Sequence, residues 1–232
     1  MLFVKLLLAH LLADFLLQPK KWVLHRESRK IASRYLYLHI LVHFALYMIV
    51  LWDLGHYGLA LVIALSHGAI DTAKSYVQPL FKRDTALFFL DQMLHLAVLY
   101  GVAYHQQLPG HLVQGLAVLD WPLVTALFFV TVPAAVIMGK LLEGMSDQIE
   151  TDHRSLNNAG RYIGILERLF VFMFVVLGQW GGIGLLITAK SVFRFNDLKE
   201  RNNRKLTEYI LIGTLVSFGL AMLSGLLYSH LG

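Results

Sequence analysis

The sequence has no cysteine among its 232 residues. Thiolate metal sites, iron–sulfur clusters, redox-active thiols and disulfide scaffolds are therefore excluded. Charged side chains are scarce too, at 15% of residues against about a quarter in ordinary soluble domains. No glycine- or serine-rich linker divides the chain. These deficits exclude soluble enzymes, coiled coils and disordered proteins, and they predict one integral membrane domain over residues 1–232.

Apolar residues make up 57% of the chain, and the mean hydropathy is +0.60. They concentrate in runs close to the length that crosses a bilayer, at 2–17, 35–52, 57–76, 85–104, 122–142, 163–177, 182–195 and 206–228. Membrane-spanning segments of this kind are helical, because irregular backbone in lipid leaves amides unpaired. We therefore predict an all-α polytopic membrane protein with about eight transmembrane helices. Six are possible if the sixth and seventh runs form one broken unit rather than a hairpin.

Basic residues are distributed unequally between the two sides of these predicted spans. With eight crossings, 19 of the 20 Lys and Arg residues fall on one side, and only Lys5 falls on the other. The positive-inside rule then places the basic loops in the cytoplasm and both termini in the periplasm. The same rule explains the net charge of +5 without a nucleic-acid partner. The bilayer itself is the predicted partner, and the first run is predicted to be a retained span.

Each of the first four spans carries two ionisable residues four positions apart. These pairs are His10/Asp14, His39/His43, His67/Asp71 and Asp91/His95. Residues four apart share one helical face, so both members of a pair can reach one point. The alternating directions of the spans put all four pairs in the cytoplasmic half of the membrane. The sequence therefore predicts that the first four helices form a bundle with a polar centre.

Five imidazoles and three carboxylates without a thiolate are typical of a Zn²⁺, Mn²⁺ or Fe²⁺ site, with Zn²⁺ favoured. Four ligands suffice for one zinc ion, so all eight residues are predicted to hold two divalent ions joined by a bridging group. Any of Asp14, Asp71 and Asp91 that is not fully used as a ligand is a candidate general base. Buried His–Asp hydrogen bonds between helices are the structural alternative, and a proton relay is a third.

Two further patterns concern the organisation of the chain. His10/Asp14 followed by His39/His43 parallels His67/Asp71 followed by Asp91/His95, which predicts a parallel helical-hairpin repeat of residues 1–52 and 57–105. A second polar cluster lies at the cytoplasmic ends of the sixth and seventh runs. It either binds a phosphate or lipid headgroup or consists of interfacial anchors with one ion pair, and its residues are Glu167, Arg168, Lys190, Ser191 and Arg194.

Several stretches resemble a bacterial inner-membrane family known as domain of unknown function 3307. They are His10-Leu11-Leu12-Ala13-Asp14, Ser66-His67-Gly68-Ala69-Ile70-Asp71 and Asp91-Gln92-Met93-Leu94-His95, with later ones at 164–168, 189–195 and 207–214. The resemblance extends over nearly the whole chain. It implies a bacterial origin and a place in the inner membrane, and it implies no activity.

The residues themselves favour a metal-dependent hydrolase or transferase that acts on an anionic or lipid-like substrate at the cytoplasmic leaflet. In such an enzyme the metal lowers the pKa of a water, which becomes the nucleophile. A divalent-metal transporter is the first alternative, although the apolar outer half of these spans offers no second opening. A di-iron oxidase like the membrane desaturases would be expected to carry more histidines. A non-catalytic membrane scaffold is the remaining alternative.

Overall fold

The computed structural model describes residues 1–52, 54–81, 84–105, 119–146, 159–194 and 204–231. In these ranges the chain is helical with short connections and contains no strand. The α-helices are α1 (Leu2–Phe15), α2 (Lys20–Arg29), α3 (Arg34–Leu51), α4 (Tyr57–Val77), α5 (Thr85–His105), α6 (Trp121–Ser146), α7 (Ala159–Val176), α8 (Trp180–Arg194) and α9 (Arg204–Leu231). Three short 3-10 turns accompany them at Lys30–Ala32, Leu54–His56 and Gln78–Leu80. The predicted all-α class is confirmed.

Each apolar run of the sequence overlaps one helix, but the prediction of eight spans is not confirmed. Within the described ranges, four helices are long and apolar enough to cross a membrane, namely α3, α5, α6 and α9, and a fifth span is possible if α1 and α2 act together. The 14 residues of α1 and the 15 of α8 extend only about 21–23 Å, less than the hydrocarbon core. Polar residues lower the hydropathy of α4, and three charged residues do so in α7.

The contacts within the chain group into two compact units, Met1–Thr125 and Ala126–Gly232. The prediction of one integral domain, like that of the hairpin repeat, stays a prediction. In the first unit, α1 packs against α3 and α5, and α4 packs against the same two helices. The order α1–α3–α4–α5 thus closes a four-helix bundle, as the sequence predicted.

The interior of this bundle is divided into an apolar layer and a polar layer. On every helix the apolar residues lie at the same end, and the largest cluster contains Leu6, Tyr47, Ile63 and Leu99. The His and Asp pairs follow one turn or more away, toward the end at which α2 packs on α3 and α4. All eight paired residues therefore lie at one end of the bundle, at similar depth.

Helix α2 lies in a stretch that the sequence suggested was a basic loop. Its axis turns 82° from α1, so it crosses the polar end of the bundle rather than continuing along it. The Trp22 ring stacks on Tyr35 with 5.6 Å between centroids, and His25 Nδ1 lies 2.7 Å from Ser33 Oγ. Arg26 is the buried residue of the helix and points toward the bundle interior.

Glycine permits the close approach of α3 and α4. A Cβ at Gly68 would lie 2.3 Å from the Cδ1 atom of Ile40, a distance that real side chains do not adopt. Gly68 follows His67, and Ile40 follows His39. The contact between these two positions therefore sets the separation of the two histidines.

In the second unit, α7 packs against both α8 and α9. The chain reverses between α7 and α8 at Gly178, whose φ of +67° suits glycine. Beyond the turn, Gly182 leaves room for the Phe174 ring, which would lie 3.0 Å from a Cβ there. The sixth and seventh apolar runs are therefore a helical hairpin and not one broken helix.

Candidate metal centre

All eight residues of the predicted pairs converge at the polar end of the bundle. Their ligand atoms form three overlapping groups, each with all atoms within 4.8 Å of one another. The first contains His10, Asp14, His43 and His67, the second His39, His67 and Asp71, and the third Asp71, Asp91 and His95. Seven of the eight residues are fully buried, and Asp14 is the partly buried one. His67 and Asp71 each belong to two groups, so the three groups form one continuous cluster.

The centre of the cluster has the dimensions of a tetrahedral ion site. Asp14 Oδ1 lies 2.9 Å from His43 Nε2, 3.3 Å from His39 Nε2 and 3.4 Å from His67 Nε2. His39 Nε2 lies 3.2 Å from His43 Nε2 and 3.1 Å from His67 Nε2. Bonds of about 2.0–2.1 Å to one zinc ion would give ligand-to-ligand edges of roughly 3.3–3.4 Å in a tetrahedron. Five of the six ligand-to-ligand edges among Asp14, His39, His43 and His67 are therefore close to those of one tetrahedral ion site.

Hydrogen bonds satisfy these groups poorly. A neutral imidazole has one N–H donor, yet His39 Nε2 faces two other imidazole nitrogens and a carboxylate oxygen. The Nδ1 atoms of His10, His39, His67 and His95 are buried without a hydrogen-bond partner among the described residues. Buried polar atoms normally have such partners. The donor set therefore suits a cation better than it suits a hydrogen-bonded core.

The third group lies beside this tetrahedron and shares Asp71 with the second group. Asp71 Oδ2 lies 3.5 Å from His67 Nε2 and 3.7 Å from His39 Nε2. Asp91 Oδ1 and His95 Nδ1 are 3.9 Å apart, too far for a hydrogen bond, and neither has another partner in the described ranges. Asp71 thus occupies the position that a carboxylate bridging two ions would need.

Three residues of the site were missed in the sequence. Gln92 Nε2 donates to Asp14 Oδ2 at 3.3 Å, and Gln92 Oε1 accepts from His10 Nε2 at 3.4 Å, which leaves Asp14 Oδ1 facing the histidines. Arg26 donates to Asp71 Oδ2, and Lys74 Nζ donates to Asp91 Oδ2 at 2.9 Å. Lys74 could have been found, since it follows Asp71 by three positions and shares its helical face. Nothing in the sequence pairs Arg26 with this site.

A small cavity of about 10 Å³ adjoins the cluster. The rings of His10, His67 and His95 line it, together with Tyr47 and Ser66. Its volume is about that of one water molecule. The Tyr47 hydroxyl also lies 3.4 Å from His43 Nδ1, so this side of the cluster offers polar contacts to a single small molecule.

The second predicted cluster has a different character. Lys190 Nζ donates to Glu167 Oε2 at 2.6 Å, so the predicted ion pair of Glu167 is present, and Ser191 Oγ donates to the carbonyl of Ile187 at 2.9 Å. The Arg194 side chain lies outside the described part of the chain. A phosphate or headgroup pocket built from these residues stays a prediction.

Arg168 of this cluster is a buried residue that binds backbone carbonyls. It donates to Val130 O, to Thr131 O at 3.0 Å and to Ser217 Oγ at 3.4 Å. The carbonyls precede Pro133, which lies inside α6 and disturbs the regular hydrogen bonds of that helix. Arg168 therefore joins α7 to the proline-containing turn of α6 and to α9.

No curated protein and no solved structure matches the chain. Residues 2–120 match the family described as "Protein of unknown function (DUF3307)". The match spans just over half of the chain and contains all eight paired residues as well as Arg26, Lys74 and Gln92. The later stretches at 164–168, 189–195 and 207–214, which resembled the same family, lie beyond it. The chain therefore belongs to the DUF3307 family.

Proposed function

We propose that this protein is a membrane-embedded metalloenzyme, a hydrolase or transferase that acts on an anionic or lipid-like substrate. The observation that carries the metal site is the central arrangement of Asp14, His39, His43 and His67, in which five edges run from 2.9 to 3.4 Å. Three helices contribute these ligands, so the site depends on the assembled bundle. Zinc is the preferred ion, and manganese or iron has compatible ligands. Four protein ligands would close such an ion to water, so the proposed chemistry belongs to the neighbouring position at Asp71, Asp91 and His95.

The number of ions depends on two buried cations. Asp71, Asp91 and His95 supply a second set of ligand atoms, and Asp71 is shared with the first set. Arg26 and Lys74, however, already neutralise Asp71 and Asp91. A second divalent ion must displace them, which costs the desolvation of two positive groups at membrane depth. We propose one tightly held ion at the tetrahedron and a weaker second position.

The protein residues that would do the chemistry lie around this second position. A divalent ion supplies a Lewis acid and lowers the pKa of a bound water. Asp91 keeps an unpartnered Oδ1 atom in the described structure, so it is the best placed general base of the three aspartates. Asp14 is committed to three histidines, and Asp71 to His67 and Arg26.

Catalysis is favoured over transport by the apolar layer of the bundle. Leu6, Ile63 and Leu99 are almost completely buried on the far side of the cluster, and Tyr47 closes the layer. A transported cation needs ligands or water on both sides of its site. A purely structural cluster is disfavoured because the Nε2 atoms of His39, His43 and His67 crowd around Asp14 Oδ1 with more acceptors than N–H donors.

We also propose a place and an orientation for the protein. The family resemblance supports a bacterial inner membrane, and the basic loops support a cytoplasmic location for the cluster end, with both termini in the periplasm. Helix α4 has 21 residues and packs between α3 and α5, which are both apolar enough to span. We therefore count α4 as a membrane span and assign its polar residues to the metal site.

Elemental analysis of the purified full-length protein tests the proposal. Growth with zinc, manganese and iron should yield about one tightly held ion per chain, with a second at higher metal concentration. Chelation should remove both ions, and zinc should restore them. A chain that purifies without any of these metals, and takes up none, would contradict the metal site.

Two assays distinguish an enzyme from a transporter. Zinc-loaded protein in phospholipid vesicles should release product from phosphate-ester or acyl-ester substrates, and the activity should disappear on chelation. Uptake of radioactive zinc into the same vesicles, without any turnover, would instead establish transport.

Orientation can be tested with single cysteines, because the chain has none of its own. Arg29→Cys, at an exposed position of α2, should be labelled by a membrane-impermeant thiol reagent only after the inner membrane is opened. Labelling of intact spheroplasts would reverse the proposed orientation.

A further inference from the structure

Two cations lie against the metal ligands, and both are largely withdrawn from solvent. Arg26 is 6% exposed, and the Lys74 side chain is 15% exposed. Arg26 reaches Asp71 from α2, and Lys74 reaches Asp91 from the next turn of α4. Both carboxylates belong to the third ligand group, so the cations border the position where an ion would sit.

Arg26 still has a donor to offer. Its Nη1 atom donates to Asp71, whereas its Nε atom is buried without a hydrogen-bond partner among the described residues. A guanidinium presents five N–H donors in a planar fork that matches two oxygens of one anion. The unpartnered Nε of Arg26 therefore points to a ligand with acceptor oxygens.

The charges of the cluster change sign when a metal binds. Asp14, Asp71 and Asp91 carry three negative charges against the two positive charges of Arg26 and Lys74, and the five histidines are neutral as ligands. One negative charge remains, and a divalent ion converts it into one positive charge. An uncompensated charge is costly at membrane depth, so binding of an anion beside the metal is favourable.

We propose that Arg26 and Lys74 form a binding site for a phosphate-type oxyanion, which becomes occupied when the neighbouring metal binds. This inference rests on the proposed metal site and names the substrate class. A phosphate monoester has enough oxygens to contact the guanidinium fork, the ammonium and the metal together. The two cations would then hold the substrate, and Asp71 and Asp91 would be available as ligands of the second ion.

Helix α2 provides an approach from the membrane surface. It turns away from the bundle axis by 82° and carries Arg26 on its buried side, while Lys20, Lys21 and Arg29 are exposed. Exposed basic residues raise the local concentration of anions near the site. The phosphate can therefore belong to a lipid headgroup in the cytoplasmic leaflet or to a free molecule.

Binding of inorganic phosphate to the full-length protein in phosphatidylcholine nanodiscs tests the inference. Zinc-loaded protein should bind about one phosphate per chain, and zinc-free protein should bind at least about tenfold more weakly, because the positive charge is absent. Arg26→Gln should weaken phosphate binding by about tenfold or more and retain zinc. Arg29→Gln, with the same charge loss at an exposed position of the same helix, should weaken binding by less than about twofold, because it removes only a solvent-screened surface charge.

Further variants and lipids separate the remaining possibilities. Arg26→Lys keeps the charge but loses the fork and should show an intermediate affinity, and Lys74→Gln should resemble Arg26→Gln. Zinc content measured on each variant shows that the bundle is folded. Phosphatidic acid in the nanodiscs should compete with inorganic phosphate if a headgroup is the ligand, and it should have no effect if the ligand is soluble.

The results that would overturn the inference differ from those that would overturn the metal site. If the protein holds zinc but binds no phosphate, the anion site is wrong and the metal site is unaffected. The same follows from phosphate binding that is equal with and without zinc, or equal in Arg26→Gln and wild type. Protein that takes up no zinc removes both proposals.

Discussion

The two units of this chain both bury polar side chains in helices, yet they do so in opposite ways. In the second unit, Arg168 is surrounded by acceptors, namely two backbone carbonyls and the Ser217 hydroxyl. In the first unit, the imidazole nitrogens of His39, His43 and His67 face one another and one carboxylate oxygen. Each donor meets an acceptor in the second unit, whereas several acceptors share too few N–H donors in the first.

This difference is the one expected between structural polar groups and a cation-binding cluster. A buried arginine that completes the hydrogen bonds of a proline-containing helix lowers the free energy of the fold by itself. A cluster of facing acceptors raises that free energy unless a cation joins them. Polarity at membrane depth is thus a weak indicator of a functional site, and the mismatch of donors and acceptors is a stronger one.

The largest effect is expected from a substitution in the His/Asp cluster of the first unit. His39→Ala removes the nitrogen that lies within 3.1–3.3 Å of three other ligand atoms. The loss of one of four ligands should weaken zinc binding by at least about 100-fold, since changes even to residues outside the ligand set cost 10–100-fold. Zinc per chain can be measured after dialysis against a chelator of known affinity.

His230→Ala is the matched control for that measurement, because His230 is exposed near the end of α9 and belongs to no ligand group in the described structure. Its zinc content should equal that of the wild type. Full zinc occupancy in His39→Ala would show that the tetrahedron is not the binding site.

Arg168→Met tests the structural role of Arg168 in the second unit. It should lower stability and leave zinc binding unchanged, the reverse of His39→Ala. It leaves the carbonyls of Val130 and Thr131 without this donor, and each unsatisfied group costs about 1–3 kcal/mol. The free energy of unfolding should fall by about 2–4 kcal/mol in a reversible denaturation, while zinc per chain stays unchanged. Zinc loss with unaltered stability would mean that Arg168 serves the site and not the fold.

The sequence predicted which residues cluster better than it predicted their surroundings. Spacing alone placed His10/Asp14, His67/Asp71 and the other two pairs on inward faces, because four-residue periodicity on an apolar helix leaves few alternatives. The sequence did not predict Arg26 as part of the site, because a basic segment between spans has no periodic pattern. Its burial depends on the 82° turn between α1 and α2, which is a tertiary feature.

The number of spans is not confirmed for a related reason. Apolar runs define where helices form, and each of the eight runs contains one, but they do not define how far each helix extends. Leu2–Phe15 ends before the Gln18-Pro19 segment, and Pro19 begins α2 in a new direction. The contacts of Arg168 could not be read from the sequence either, since its carbonyl partners lie 37 and 38 positions away.

A smaller effect is expected from changing the close packing of α3 against α4, which sets the separation of the proposed ligands. In Gly68→Ala the new methyl group would displace Ile40, and with it the neighbouring His39 on α3. A shift of a few tenths of an ångström in one ligand should weaken zinc binding by about tenfold, in the range seen for residues that support ligands. The zinc affinity of the purified variant provides the measurement.

Gly58→Ala is the control on the same helix, since a Cβ there meets nothing within 4 Å. It should leave zinc affinity unchanged and stabilise α4 by up to about 1 kcal/mol, the difference in helix propensity between glycine and alanine. Equal zinc affinities in the two variants would show that the α3–α4 separation does not control the site.

The smallest effect is expected at the ion pair of Lys190 and Glu167. These residues belong to the cluster that the sequence assigned to substrate binding. The two side chains are 22% and 15% exposed, and such partly exposed pairs contribute about 0.2–1 kcal/mol. A double-mutant cycle with Lys190→Met and Glu167→Gln should therefore give a coupling energy of this size in the free energy of unfolding. Phosphate binding by the zinc-loaded protein should be equal in all four variants, because Lys190 is committed to Glu167.

If Lys190 instead binds the anion, Glu167→Gln should strengthen phosphate binding by removing a competing negative charge, and Lys190→Met should weaken it. A change of threefold or more in those two directions would move the anion site into the second unit and leave Arg26 and Lys74 as structural partners of the metal ligands.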